Sequence, residues 1–535
     1  MTLVQTLSIH LINRTFMRIF EIFLILLVIV AIKFSFSGYM INEVEVLPFA
    51  KQFFEGNWLP NDWYLNLNIS YRYLFNLIFG PIVSLFGFKY GALISRFLIY
   101  SLLAFAFHFF FRTIQLRFSL MLLVIYYFLN HQSLVAGEWI FGGAETKCIA
   151  YALVILSLSV FILKKYAYGF VLAGAAMSFH VLVGLYAMFC IACALLLNRG
   201  TYWQDWRIVI KRSWLFLVTG IFGLYAIISN LLSHGNMDII RASEIYVFYR
   251  NPHHLVPAAW GGHRWIEIFA LDMCFFLAIY LIGRSRVYRF ISAYALSSGV
   301  LFIIGLAIYK LGYFYLLKYY WFRFPDVILP FMGIVLVALV LNDLANGHSP
   351  FRSTHRISWS RIQPMLNTGL SVLLILVATG VVLKSSWQLQ EKLRNSISKA
   401  NSQNEKELSI LEWIKDNTPR DAVFLVDPTN FYGDFYTKAQ RAIFVKLKHV
   451  PQSEGDIIEW YKRIKLVNGN REPEPPVGIK SQRELKYNFY NLDEGIIREI
   501  AEEYGITYYL GLSKRPLTFE SVHNVNGYTL YKIGK

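Results

Sequence analysis

The sequence predicts a mostly α-helical protein: a polytopic transmembrane helical bundle with a C-terminal extracytoplasmic α/β domain. Three observations predict it. Of the 535 residues, 56% are hydrophobic and only 16% are charged, whereas soluble domains carry about 25% charged residues. Apolar runs of about 17 residues or more recur up to position 385, long enough to cross a bilayer. From 386 to 535 the text changes to charged segments with helix-like and strand-like patterns, read as one soluble domain.

Asn13, Arg14 and Arg18 precede the first span, roughly 20–36, and place the N-terminus in the cytoplasm. That apolar run has no small-residue cleavage site, so it reads as a retained span. The next stretch, 38–90, holds the first outer loop and an apolar segment, 69–88, whose status is fixed by the basic residues further on. If 69–88 crossed the membrane, Arg112, Arg117, Lys164, Lys165, Arg199, Arg207, Lys211 and Arg212 would face outside. If it only dips into the interface, all of them fall inside, as do Arg284, Arg286, Arg289 and the basic loop 352–361. The second arrangement obeys the positive-inside rule, so 69–88 is expected to be juxtamembrane or re-entrant.

Spans then follow near 91–111, 118–136 and 147–163, with a tight hairpin of 168–179 and 181–197 that has His180 at its tip. Others lie near 213–233, 266–283, 290–310, 324–342 and 367–385, which makes 11 crossings plus the dipping segment. The loops 234–265 and 311–323 fall outside. The expected domains are therefore 1–385 in the membrane and 386–535 in solution. In the latter, helices are expected at 405–416, 455–467 and 495–504, and strands at 422–428, 442–448, 506–512 and 528–533. REPEPPVG (471–478) reads as an irregular linker. No phosphate-binding glycine loop or nucleophile elbow occurs there, so chemistry is expected in the membrane part.

The formal charge of +17 does not imply nucleic acid, because the basic residues sit mostly in short loops between spans and serve topology. The four cysteines fall in or at the ends of apolar segments and none lies in the soluble domain, so no disulfide framework is predicted.

On this topology the outer face collects polar groups. The first loop offers Glu43, Glu45 and Asp62; GEWIFGGAETK offers Glu138, Glu145 and Lys147; the hairpin tip offers His180. Arg250, His253, His254 and Arg264 come from the long outer loop, and Lys318 and Arg323 from LKYYWFRFPD. Carboxylates at a lipid–water boundary are costly. Beside Arg and Lys they suit a reaction on an anionic substrate, with a carboxylate as base and cations holding a phosphate. Blander roles compete. Glu43 and Glu45 could be solvated; an extended loop would point both the same way and a helix would separate them. Glu138 and Glu145 flank a Gly-Gly turn. Adjacent His253 and His254 seldom bind one metal ion, His180 suits a packed hairpin, and Arg323 could snorkel. Asp62, beside Trp63 and Tyr64, reads as part of an interfacial anchor.

Acids just past the first span, a second acidic motif after a later span and a terminal α/β domain together resemble the GT-C superfamily of membrane glycosyltransferases. LEWIKDNTPRDAVFLVDP and EEYGITYYLGL are similar to the tails of bacterial members. The resemblance implies a polyprenyl-phosphate-linked sugar donor, a lipid or glycan acceptor and residence in the bacterial plasma membrane. The first-loop acid, Glu43 or failing that Glu45, would be base or metal ligand. Glu138 or Glu145 would be the second acidic motif, and Arg323 a phosphate contact. No cofactor is demanded; a divalent metal is the one option. First-loop Glu where many members carry Asp, and the lack of a DxD-type pair, are departures from the pattern. The competing classes are a transporter or flippase of lipid-linked or anionic solutes, which usually shows internal repeats, and a non-catalytic envelope glycan assembly protein.

Overall fold

A computed structural model describes residues 3–40, 42–68, 70–232, 238–351, 363–400, 405–429, 435–472 and 481–534. The basic loop 352–361 and most of the linker 471–478 lie outside the described residues.

The membrane part begins with α1 (Leu3–Lys33). The expected first outer loop is not a loop: its start folds into a helix, α2 (Glu43–Glu55), closed by Gly56 at φ 70°. Next comes α3 (Tyr73–Thr113), continuous except at Gly87, whose φ of 70° and ψ of 171° break the helical path. A glycine adopts that conformation without the Cβ penalty. The break separates the segment expected to dip from the span expected at 91–111. Helices α4 (Phe118–Asn130), α5 (Thr146–Ile162), α6 (Tyr166–Phe179) and α7 (Val181–Leu197) follow. His180 forms the tight corner between α6 and α7 in extended conformation.

The expected span 213–233 is divided at Gly220 into α8 (Trp206–Thr219) and α9 (Ile221–Leu232). Long helices α10 (Arg264–Ile282), α11 (Arg286–Lys310) and α12 (Arg323–Ala345) complete the central bundle. The last, α13 (Gln363–Ala400), runs on through residue 385, where the composition changes.

Six helices among the described residues are long and apolar enough to cross a membrane, or seven if Val181–Leu197 and Arg199–Thr219, bent by 85°, form one span. The chain is an integral, multi-pass membrane protein. The expected count of 11 crossings is not confirmed. Phe118–Asn130, Thr146–Ile162, Tyr166–Phe179 and Ile221–Leu232 are apolar but short, and at about 1.5 Å per residue none reaches the ~30 Å of a hydrocarbon core.

The C-terminal domain opens with α14 (Glu405–Asn417) and holds a five-stranded sheet. Its strands are β1 (Val423–Leu425), β2 (Ala442–Ile443), β3 (Tyr508–Leu512), β4 (Glu520–Val525) and β5 (Tyr528–Lys532), in the order β2-β1-β3-β5-β4. The first three pair in parallel and the rest antiparallel. Helices α15 (Glu454–Val467), α16 (Ser481–Tyr490) and α17 (Glu494–Tyr504) pack with it, α17 ending at Gly505 in the left-handed conformation. Neither α16 nor β4 is expected from the sequence, because few of their residues are buried and the apolar rhythm is faint.

Candidate active site

Because α2 is a helix, the i, i+2 spacing of Glu43 and Glu45 turns their side chains to different sides. Glu43 is completely buried. Its Oε1 accepts from Arg96 Nε at 2.6 Å and from the Ala144 amide at 2.8 Å; its Oε2 accepts from Arg96 Nη2 at 2.6 Å and from the Met40 amide at 2.9 Å. Two donors on each oxygen use the acceptor capacity of the carboxylate. Arg96 also donates to the carbonyls of Ser35 and Gly38. The pair thus ties the end of α1, the start of α2, the middle of α3 and the Gly-Gly turn into one knot.

Glu45 keeps 9% of its surface exposed. Its Oε1 accepts from the Tyr64 hydroxyl at 2.8 Å and from Arg72 Nη2 at 2.7 Å. Among the described residues, no hydrogen bond reaches Oε2. Burial pushes its pKa up, but Arg72, Lys448 and the two hydrogen bonds outweigh that and hold the carboxyl below its ordinary value.

The second acidic motif sits on a loop held from beneath. Asp326 of α12 accepts from Ser133 Oγ at 2.6 Å and from the amides of Val135, Ala136 and Glu138 at 2.5, 2.8 and 2.9 Å. Gln132 Oε1 accepts from the Ile140 and Phe141 amides. Glycine is required at Gly143, where a Cβ would lie 2.6 Å from Glu43 Oε1. So held, Glu138 pairs with Lys147 Nζ at 3.0 Å and with Arg323. Lys147 lies 3.8 Å from Glu145 and over the Trp139 ring. Glu145 accepts from Asn42 Nδ2 at 2.8 Å and from Trp139 Nε1 at 3.2 Å. Burial raises the Glu145 pKa, but Lys147 and these bonds lower it further. Glu43, Glu138, Glu145, Lys147 and Arg323 therefore belong to one unbroken chain of contacts, and Glu45 stands on the same helix.

The other candidates divide. Arg250 donates to the Lys448 carbonyl at 3.3 Å. His254 Nδ1 lies 2.6 Å from the Ala136 carbonyl, and the His253 ring sits 3.9 Å from that of His254. His180 accepts from the Val183 amide and caps α7. Arg264 is exposed at the start of α10. Lys318 pairs with Glu454 of the C-terminal domain. Asp62, expected as part of an interfacial anchor, is fully buried, accepting from the Leu65 amide at 2.8 Å and from the Ile443 amide of β2 at 3.1 Å. It fastens the C-terminal domain to the first loop, and burial pushes its pKa up to about 6.

Sequence reasoning missed Arg72, Arg96, Tyr64, Lys448 and His449. An arginine inside an apolar run was the available signal for Arg96, since a charge there needs a buried partner. Lys448 and His449 lie in the domain expected to carry no chemistry, yet Lys448 interacts electrostatically with Glu45, Glu145, Arg72 and Arg250. His449 is sandwiched between the Tyr64 ring, at 4.7 Å, and the Tyr436 ring, at 5.6 Å.

The residues present do not fit a metal centre. Glu43 faces Arg96, Glu45 faces Arg72, and Glu138 and Glu145 share Lys147. Among the described residues no group of three or more His, Cys, Asp or Glu could hold an ion.

A family described as a domain of unknown function, DUF6798, matches residues 405–467. No curated protein matches the sequence. Among solved structures, the apo oligosaccharyltransferase of Archaeoglobus fulgidus is similar with a TM-score of 0.51 at 10% identity, covering 92% of this chain and 69% of its own. The archaeal oligosaccharyltransferase AglB from the same organism, in complex with an inhibitory peptide and a dolichol-phosphate, gives 0.46 at 11%, covering 93% and 70%. ArnT from Cupriavidus metallidurans, bound to undecaprenyl phosphate, gives 0.42 at 10%, covering 97% and 98%. At such identities the likeness is one of fold, and the alignment at 0.51 carries it. The fold of this chain is thus similar to that of the Archaeoglobus fulgidus oligosaccharyltransferase.

Proposed function

We propose that the protein moves a sugar from a polyprenyl-phosphate-linked donor to a hydroxyl of an extracytoplasmic lipid or glycan acceptor, with Glu45 as the base. The observation that carries this reading is the contrast in bonding: Glu43 has every acceptor site filled, while Glu45 has one oxygen engaged and Oε2 open. The depressed pKa keeps Glu45 ionised. In the step proposed, Glu45 Oε2 takes the proton of the acceptor hydroxyl as its oxygen attacks the anomeric carbon. The bond from that carbon to the phosphate oxygen breaks, and the polyprenyl phosphate leaves with the electron pair. Lys147, buried, and Arg323, partly buried, are already placed and oppose the charge that develops on it. The side of the bundle carrying the C-terminal domain is read as extracytoplasmic, following the basic loops.

The test is Glu45→Gln in the full chain, reconstituted with a polyprenyl-phosphate sugar and membrane extract as acceptor source. Loss of a general base costs on the order of 10²–10⁴ in rate, and that loss is expected with the melting temperature unchanged within a few degrees. Transfer at the wild-type rate would remove Glu45 from the reaction.

A further inference from the structure

Three side chains around the joint between the membrane part and the C-terminal domain have buried nitrogens with no hydrogen-bond partner: Arg72 Nη1, Arg250 Nε and both ring nitrogens of His449. They come from the start of α3, the long loop and the C-terminal domain. Both arginines, with Lys446 and Lys448, interact electrostatically with the imidazole, so the orphaned donors form one neighbourhood. Native proteins leave few buried polar groups unsatisfied, and each calls for a cause.

Space filling does not supply the cause. His449 is 1% exposed and stacks between two tyrosine rings; a phenylalanine would fill that slot without two nitrogens to satisfy. Charge points the same way. On the Arg323 side, Lys147 and Arg323 are matched by Glu138 and Glu145. On the His449 side, Arg72 pairs with Glu45, and among the described residues Arg250 makes no ion pair. A neutral imidazole offers one N–H, and the cations around it repel a further cation. The complementary ligand is a compact anion with several acceptor oxygens, which describes a phosphoryl group better than a carboxylate.

We infer that Arg72, Arg250 and His449 form an oxyanion subsite across the joint that takes a phosphoryl group, making the C-terminal domain part of the donor site. That the phosphoryl group belongs to the sugar donor rests on the function proposed above; that an anion binds there does not.

The full chain in lipid nanodiscs is titrated calorimetrically with inorganic phosphate and inorganic pyrophosphate, and separately prepared in nanodiscs containing a polyprenyl monophosphate. His449→Phe keeps the stack and removes the nitrogens; Arg250→Gln removes the guanidinium away from the stack. Each is expected to weaken pyrophosphate binding at least tenfold, with an unliganded melting temperature near that of wild type. Should one variant fail to fold, the other decides. Binding of the lipid phosphate alone identifies a lipid-borne group; equal binding of free pyrophosphate identifies a soluble one. Wild-type affinity in both variants, or no binding of any of the three probes by the wild type, overturns the subsite. Glu45→Gln should bind pyrophosphate at least as tightly as wild type. If it also retains transfer, the base assignment falls and the subsite stands.

Discussion

Glu43 and Glu45 occupy one turn of one helix; Glu43 faces Arg96 within the following helix and Glu45 faces Arg72 at its N-cap. Glu43 lies at 0% exposure with Arg96 gripping both oxygens and two amides filling the rest. Glu45 touches Arg72 and Tyr64 through a single oxygen at the edge of a cationic basin. A carboxylate whose acceptor sites are all filled by the protein holds structure together, and one with an oxygen to spare can take a proton. An ion pair alone does not separate the two roles; the unfilled lone pairs do.

The largest effect expected from that contrast is on stability. Glu43→Gln leaves the Arg96 guanidinium buried without its counter-ion, and breaking a buried pair from one side costs about 3–5 kcal/mol. The expected outcome is poor recovery of folded protein and a markedly lower melting temperature in detergent, partly restored when Arg96→Met is added. Should Glu43→Gln melt like the wild type and yet be inactive, the two glutamates would have to exchange roles.

A smaller effect sharpens the other half. Tyr64→Phe removes one donor from Glu45 while leaving the ring on His449. Hydrogen bonds to charged groups contribute about 1.5–3 kcal/mol, so the rate of transfer is expected to fall by roughly 10- to 100-fold with little change in melting temperature. An unchanged rate would mean that Arg72 alone orients the carboxylate.

The bundle and the strand–helix alternation of the C-terminal domain were legible because apolar runs and turn residues are local signals. So was the grouping of Glu138, Glu145 and Lys147 around a Gly-Gly turn, which the structure shows to be tight enough to exclude a Cβ. What stayed hidden was relational. The sequence of 38–67 reads as loop, and the i, i+2 spacing of its two acids does not by itself say whether they separate; helix α2 decides it. Arg96 sits in an apolar run that reads simply as a span, and only the buried Glu43 opposite explains it. Asp62 and Ile443 are 381 positions apart, and no pattern in either segment announces that they meet. Lys448 and His449 reach the site for the same reason.

The basin should also respond to pH. Burial, outweighing Glu45 and Glu145, lowers the Lys448 pKa to about 8. Its charge is therefore lost as pH rises through about 8, and pyrophosphate affinity is expected to weaken by a few-fold between pH 7 and 9. Stability runs the other way: a depressed folded-state pKa contributes stability above the unfolded value near 10.5 that is lost as pH falls through about 8. Because Glu45 raises the Lys448 pKa, Glu45→Gln should shift the affinity midpoint to lower pH. An unshifted midpoint would detach Lys448 from Glu45.

The smallest effect concerns metal. Each carboxylate of the two acidic motifs is already opposed by a guanidinium or an ammonium group, Glu138 by both. A divalent ion would have to displace Lys147 from Glu138 and Glu145, replacing a held cation with one that must first shed water. In the reaction proposed, those same cations oppose the charge on the leaving phosphate. Transfer assayed in excess EDTA is accordingly expected to stay within twofold of the untreated rate. A loss of tenfold or more, recovered with Mg²⁺ or Mn²⁺, would show that Lys147 yields its place when the donor binds; the paired half of the site would then be the reactive one, with Glu45 left to anchor Arg72.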